Sequence, residues 1–167
     1  FISHSDKNII DAVREGRKRD FKAFDWDEEP LDPQDPATFK KSKIHWEKRN
    51  TEPGNTLLRF YAKLIQLRKD LFGSAKRGTM KSVANDEKRI LTVYRKINDS
   101  EVFFAINFND KDLAYSPNLL SSSWEKTLDS ADQEWNGPSG SMPEHIAKDD
   151  VMTLKPWNLV LYEAIRD

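Results

Sequence analysis

The chain contains no cysteine, which excludes disulfide bonds and thiolate metal sites. A reducing compartment is compatible with that absence. No stretch approaches the roughly 20 consecutive apolar residues that a membrane-spanning helix requires, and no signal-peptide pattern is visible. Net charge is also missing: 27 basic and 28 acidic side chains leave a formal charge of −1. Neither half of the chain carries the basic excess of a nucleic-acid binder. There is no Gly-x-Ser-x-Gly elbow, no phosphate loop and no internal repeat. The histidines are too scattered for a metal site: His45 and His145 lie far apart, and no His-x-x-x-His pair exists. Hydrophobic residues make up only 37% of the 167 residues and charged residues 33%. The 18 aromatic side chains are nevertheless enough to build a core, so the composition is not that of a disordered chain.

What is present divides by period. Residues 7–21 read as a helix with Ser5 or Asp6 as its cap, weakened at Gly16 by about 1 kcal/mol relative to Ala. Residues 25–36 are acidic and proline-rich and read as loop. Asp32-Pro33 and Asp35-Pro36 bias the chain toward a rigid turn. A short helix over 37–46 follows, with Phe39, Ile44 and Trp46 as its expected anchors. Residues 56–71 are the clearest helix, because Leu57, Phe60, Tyr61, Leu64, Ile65, Leu67 and Leu71 recur at three- and four-residue spacing. Asn55 or Thr56 is its expected cap, and Gly73 its end. Such a helix is too apolar to stand alone. Leu57, Phe60, Leu64 and Leu67 must bury against the strands, against residues 1–46 or against a second copy.

From Gly78 the period becomes 2. Strands are expected at 80–83, 90–97, 101–108, 124–128, 151–154 and 159–165. Asn98-Asp99-Ser100 supplies a hairpin signal. In the third strand Val102, Phe104, Ile106 and Phe108 face one way, and Phe103, Ala105 and Asn107 the other. Residues 130–149 read as a long loop. Six to eight short antiparallel strands predict a β-sandwich.

Few groups suggest chemistry. Arg14, Arg17, Lys18, Arg19 and Lys22 form a basic cluster, but interleaved acids make it a salt-bridged helix face. Asp25, Asp27, Glu28, Glu29, Asp32 and Asp35 lie on one stretch without the spacing of a calcium loop, and read as a surface acidic loop. Trp124, Trp135 and Trp157 offer either core packing or faces on which a pyranose ring can stack. Trp135 is the candidate sugar platform, since Asn136-Gly137 places it at a loop. Trp157, after Pro156, is expected to pack at the start of the last strand.

Several passages carry a resemblance. Phe1 to Asp6 is similar to the segment leaving the eighth strand of a (β/α)8 barrel. Ala12 to Phe21, with Phe24 in register, is similar to a basic helix. Asp32 to Trp46 (Asp-Pro-Gln-Asp-Pro-Ala-Thr-Phe-Lys-Lys-Ser-Lys-Ile-His-Trp) and Thr56 to Lys69 complete the match, and Leu154 to Tyr162 is similar to a closing strand. Together these resemble the α-amylase superfamily, and within it the maltooligosyltrehalose trehalohydrolases. The resemblance is close over 1–72 and looser over 76–167.

The resemblance implies an α+β chain. Residues 1–75 would be the helical end of a TIM barrel, and 76–167 an antiparallel β-sandwich like the amylase C-terminal domain. It implies that the family's catalytic Asp, Glu and Asp lie upstream of Phe1, so that this chain has no catalytic residue and is a piece of a longer enzyme. His4 and Asp6, past the eighth strand, become candidate substrate-binding residues together with Trp135. The implied parent is a cytoplasmic retaining hydrolase of maltooligosyl trehalose or a related α-glucan. It would need no cofactor or metal and would bind neither nucleic acid nor membrane. The isolated piece is a candidate dimer. The alternative is a non-catalytic carbohydrate-binding β-sandwich module.

Overall fold

The structure is a computed structural model that describes residues 1–25, 29–73, 78–97, 100–117, 119, 123–139 and 142–165. The chain divides into two compact units, Phe1–Glu47 and Lys48–Asp167. The boundary expected at 75–76 lies outside the described residues, as do Asp27, Glu28, Asn98 and Asp99. Among the described residues no helix is long and apolar enough to cross a membrane.

The first unit holds α1 (Lys7–Ala23) and α2 (Pro36–Lys41). Asp6 caps α1, accepting from the N–H groups of Asn8 at 2.7 Å and Ile9 at 3.4 Å. Asp35 caps α2 through the Ala37 N–H at 2.7 Å, with Pro36 in the first turn. The short helix is shorter than the expected 37–46. It ends at Lys41, and a 3-10 turn, Trp46–Asn50, follows. Its expected anchors are not buried: Ile44 is 71% and Trp46 66% exposed. Phe39 instead meets the ring of Phe1, with centroids 5.1 Å apart. The helix ends instead at Ser42, whose hydroxyl donates to the Thr38 carbonyl at 2.8 Å.

The second unit begins with α3 (Gly54–Phe72), followed by β1 (Thr79–Asn85), β2 (Ile90–Ile97), β3 (Ser100–Asn107), β4 (Leu113–Tyr115), β5 (Ser123–Asp129), β6 (His145–Ala147), β7 (Met152–Leu154) and β8 (Leu159–Ala164). Neither Asn55 nor Thr56 caps α3. Glu52 does so from outside the helix, accepting from the Thr56 N–H at 3.3 Å. Gly73 ends it at φ 31°, donating to the Lys69 carbonyl at 2.8 Å.

Six strands form one antiparallel sheet in the order β1-β2-β3-β8-β5-β6, and β4 pairs with β7 in a second. This is the expected sandwich, with a helix added. β3 and β8 sit at the centre, so both their faces are covered. Phe103, Ala105, Val160 and Tyr162 join Trp124, Met152 and Leu154 in the larger core cluster. Val102 and Leu161, on the opposite face, join Leu128 and Leu67, with Phe60, Leu64 and Leu71 packed against them. The alternation predicted for β3 therefore matches two buried faces.

β5 reaches both clusters through a bulge. Trp124 and Leu128 are four residues apart and would share a face in a regular strand. The register shifts between Lys126 and Leu128, so Trp124 enters one cluster and Leu128 the other.

α3 is thus buried along one side only. Leu67 is 8% exposed, whereas Leu57, Leu58, Tyr61 and Ile65 are each more than half exposed (53–58%). Phe60, Leu64 and Leu67 bury against the strands, the first of the three expected partners, and Leu57 does not. Leu67→Ala is expected to cost about 2–5 kcal/mol in urea unfolding. Leu58→Ala, on the exposed side, is expected to change stability by less than about 0.5 kcal/mol.

Candidate functional site

The three candidate residues fall in different surroundings. His4 is exposed, and its backbone N–H donates to Gln34 Oε1 at 3.3 Å. Asp6 is exposed, with one carboxylate oxygen engaged in capping α1. Both belong to the first unit, where the Ile2 N–H also bonds the Pro33 carbonyl at 2.9 Å. The segment 1–6 is thereby tied to the Asp-Pro turn. Trp135 belongs to the second unit.

The turn itself is held by a charge pair that links two features the sequence shows separately. Arg14 of the basic helix grips Asp32 of the acidic loop with Nε at 3.1 Å and Nη2 at 2.7 Å. Asp32 also accepts from the Gln34 N–H at 2.9 Å, and its carbonyl from Thr38 Oγ1 at 2.6 Å. The Arg14 guanidinium, then the Gln34 N–H, hold the Asp32 carboxyl below its ordinary value. Asp32 in turn raises Arg14. Arg14 also lies 3.7 Å from Asp11, and Lys18 3.3 Å from Glu15. The local pairs are thus three residues apart. These contacts organise the turn and engage Arg14 and Lys18 of the basic helix with acids.

Trp135 closes a short 3-10 turn, Gln133–Trp135. Its ring meets Phe60 of α3 edge-on at 5.2 Å, and the Arg59 guanidinium lies 5.9 Å from its centroid. Arg59 also donates to the Glu134 carbonyl at 3.3 Å. Asn136 adopts the left-handed conformation (φ 60°) and donates to Glu52 Oε2 at 3.4 Å. The Thr56 side chain and N–H, and then Asn136, keep Glu52 below its ordinary value. Gly137 is required here, since a Cβ would stand 2.3 Å from the Ala131 backbone. The result is a cleft of about 280 Å³ lined by Thr56, Leu57, Phe60, Ser130, Trp135 and Asn136, among others. Trp135 is a wall of this cleft and a packing partner of α3. Its Nε1 is buried with no hydrogen-bond partner.

The other tryptophans separate cleanly. Trp124 is core, 1% exposed. Trp157 corrects the expectation that it packs: it is 66% exposed, in the turn before β8, with φ 52°. Only its backbone is anchored, by its N–H to the Asn109 carbonyl at 3.1 Å.

Two acids, Asp132 and the buried Asp129, lie close together. Burial, then the neighbouring Asp129 carboxylate, pushes Asp132 up. Asp129 is 1% exposed, and its acceptors are occupied. Oδ1 takes the Ala131 N–H at 2.9 Å and the Asn158 amide at 2.7 Å, and Oδ2 takes the Met142 N–H at 2.8 Å. A carboxylate so engaged braces the loop between β5 and β6. Among the described residues no group of three or more His, Asp or Glu is placed to hold a metal ion.

No protein-family model matches the chain. Malto-oligosyltrehalose trehalohydrolase from Arthrobacter ramosus is 42% identical over 72 residues, which are 42% of this chain and 12% of that protein. The protein of the same name from Rhizobium sp. (strain M-11) is 32% identical over 117 residues, 68% of this chain and 19% of that protein. The one from Saccharolobus solfataricus is 39% identical over 70 residues, 42% of this chain and 10% of that protein. The chain therefore spans less than a fifth of the length of these relatives. Among solved structures, an α-amylase candidate from Salmonella typhimurium covers 99% of this chain with 25% of its own, at a TM-score of 0.65 and 23% identity. A mutant of the trehalulose synthase MUTB covers 80% of this chain with 23% of its own, at a TM-score of 0.52 and 13% identity.

The Arg14–Asp32 pair carries an acid dependence. Asp32 is depressed below its ordinary 3.8, so its contribution is present above that value and is lost as pH falls through the lower folded one. Hydrogen-exchange protection of the Ile2 and Gln34 amides is expected to fade below pH 3.8, while β3 amides keep theirs. Asp32→Asn is expected to remove that dependence.

Proposed function

Homologous over the matched residues to malto-oligosyltrehalose trehalohydrolases, and folded like part of an α-amylase-family structure, this chain is, we propose, the closing C-terminal piece of a retaining α-glucan hydrolase. The parent would act on maltooligosyl trehalose, through a covalent glycosyl intermediate made by carboxylates outside these residues. Residues 1–75 would belong to the barrel and 76–167 to the β domain. The piece contributes structure: its strands support α3, and α3 presents an apolar face to the rest of the enzyme.

The observation that carries this reading is that face. Leu57, Leu58, Tyr61 and Ile65 are bare on one side of a helix whose other side is packed. A helix apolar on both sides is an internal element, and the barrel is the surface proposed to cover it. His4 and Asp6 would then stand at the rim, where barrel loops meet substrate. The absence of cysteine is compatible with a cytoplasmic parent. The alternative, a carbohydrate-binding module without catalysis, differs in needing no covering surface on α3.

Two measurements test this. The purified chain is expected to release no trehalose from maltooligosyl trehalose, and turnover that co-purifies with it through successive columns overturns the proposal. In sedimentation the isolated chain is expected to self-associate through α3, and Leu58→Lys with Ile65→Lys to return it to monomer. A wild-type monomer at all concentrations favours the binding module.

A further inference from the structure

The dipeptide Asn136-Gly137 marks a loop in the sequence, and the function proposed above makes no use of it. The fold calls for both residues. Asn136 follows the 3-10 turn Gln133–Trp135 in the left-handed region, at φ 60° and ψ 26°, which asparagine tolerates better than most side chains. At Gly137 a Cβ would stand 2.3 Å from the Ala131 backbone, so no side chain fits. Two separate packing demands thus create the one Asn-Gly of the chain.

That dipeptide carries chemistry of its own. The side-chain amide of an asparagine is an acyl group within five-membered-ring reach of the next backbone nitrogen. A following glycine leaves that nitrogen unshielded and its backbone free to turn. Attack of the Gly137 nitrogen on Asn136 Cγ forms the N–Cγ bond and breaks the Cγ–Nδ2 bond, and ammonia leaves with the proton of the attacking nitrogen. Water then opens the cyclic imide at either carbonyl, giving Asp or iso-Asp. Asn136 is exposed, so water reaches its side chain. Its backbone is held away from the reaction. At ψ 26° the Gly137 nitrogen stands beside the Asn136 nitrogen rather than under Cγ. The Gly137 N–H also donates to the Asp132 carbonyl at 3.1 Å, and the Asn136 N–H to the Gln133 carbonyl at 3.0 Å. The turn must open before the ring can close.

The product does not rebuild the native contacts. Asn136 Nδ2 donates to Glu52 Oε2 at 3.4 Å, and Glu52 caps α3 through the Thr56 N–H. Asp puts a carboxylate where that donor stood, against the carboxylate of Glu52. Iso-Asp loses the donor as well, carries the same charge and adds a methylene to the backbone beside Trp135, whose ring meets Phe60 of α3.

We propose that Asn136 is a self-modifying site, whose deamidation is gated by opening of the turn 133–137 and loosens the hold of that turn on α3. The reaction needs no partner beyond water and is independent of the proposed function. The test incubates the full 167-residue chain in mildly alkaline buffer, folded and unfolded in urea, and follows its peptides by mass spectrometry. In urea Asn136 is expected to convert to Asp and iso-Asp before any other asparagine. Earlier conversion at Asn85 or Asn109, each followed by Asp, overturns the proposal. In the folded chain the same conversion is expected about 10- to 1,000-fold more slowly, the range of a local opening. Equal rates overturn the gate, and so does a folded chain still silent at Asn136 beyond that range. Asn136→Asp is expected to lower hydrogen-exchange protection of the Trp135 and Gly137 amides at least about tenfold, while β3 and β8 amides keep theirs. Asn136→Gly, which keeps the left-handed turn without the charge, is expected to retain more of that protection. Unchanged protection in Asn136→Asp, or equal loss in both variants, overturns the loosening by the new carboxylate.

Discussion

The structure depends on β3 and β8 being apolar on both faces. Phe103, Ala105, Val160 and Tyr162 are fully buried on one side, and Val102 and Leu161 are buried on the other. A sheet of this kind cannot stop at one covering layer. The pair β4–β7 covers one face and α3 the other. At about 25 cal/mol per Å² of apolar surface removed from water, losing either cover would outweigh any single hydrogen bond in the unit. This explains why α3 falls in the same compact unit as the strands, although its sequence reads as a barrel helix. It also explains the bulge in β5, since one strand supplies a large side chain to each layer and the pleat must change phase between them.

Buried polar groups then fix the loops around that sheet. Asp129, Asn158 and Asn107 are 1%, 2% and 0% exposed. Asn107 Nδ2 donates to the Lys111 and Lys155 carbonyls at 3.0 and 2.8 Å, and its Oδ1 takes the Asn109 N–H at 2.9 Å. Each of these partners lies in a turn between strands. An unsatisfied group at such a site costs about 1–3 kcal/mol, so the network selects one loop geometry. Among the described residues the first unit has no equivalent. Its helices bury no residue, and its Arg14–Asp32 pair is about 40% exposed, where ion pairs contribute little. The two units are therefore stabilised by different physics: area in one, caps and turns in the other.

The sequence was legible wherever a period or a φ-restricted residue decided the outcome. The alternation of β3, the 3.6-residue stripe of α3, the stop at Gly73 and the Asp6 cap all follow from local rules. What local rules cannot supply is pairing at a distance. The basic helix and the acidic loop are both visible in sequence, but not that Arg14 closes on Asp32. β4 and β6 are absent from the expected strands: each is only three residues long, and β6 falls in the stretch 130–149 whose Gly and Pro residues read as loop. Trp157 was misplaced for a related reason. A Pro-Trp dipeptide before an apolar strand suggests packing, yet its positive φ turns the side chain outward. Of the candidate site residues, Asp6 and Trp135 were legible as to position. Their structural duties, as cap and as wall against Phe60, depend on neighbours that the local pattern does not show.

Those duties bear on function. A glycosidase sets two carboxyls across a bond with their pKa values pushed apart and room between them for the sugar. Here Asp6 and Asp35 cap helices, Asp32 clasps Arg14, Glu52 caps α3, and Asp129 braces a loop with all its bonds directed inward. Asp132, the one carboxylic acid pushed up among the described residues, lies beside Asp129, whose oxygens are engaged by backbone N–H groups and the Asn158 amide. Acids used this way stabilise the fold, which is compatible with the structural role proposed for this chain.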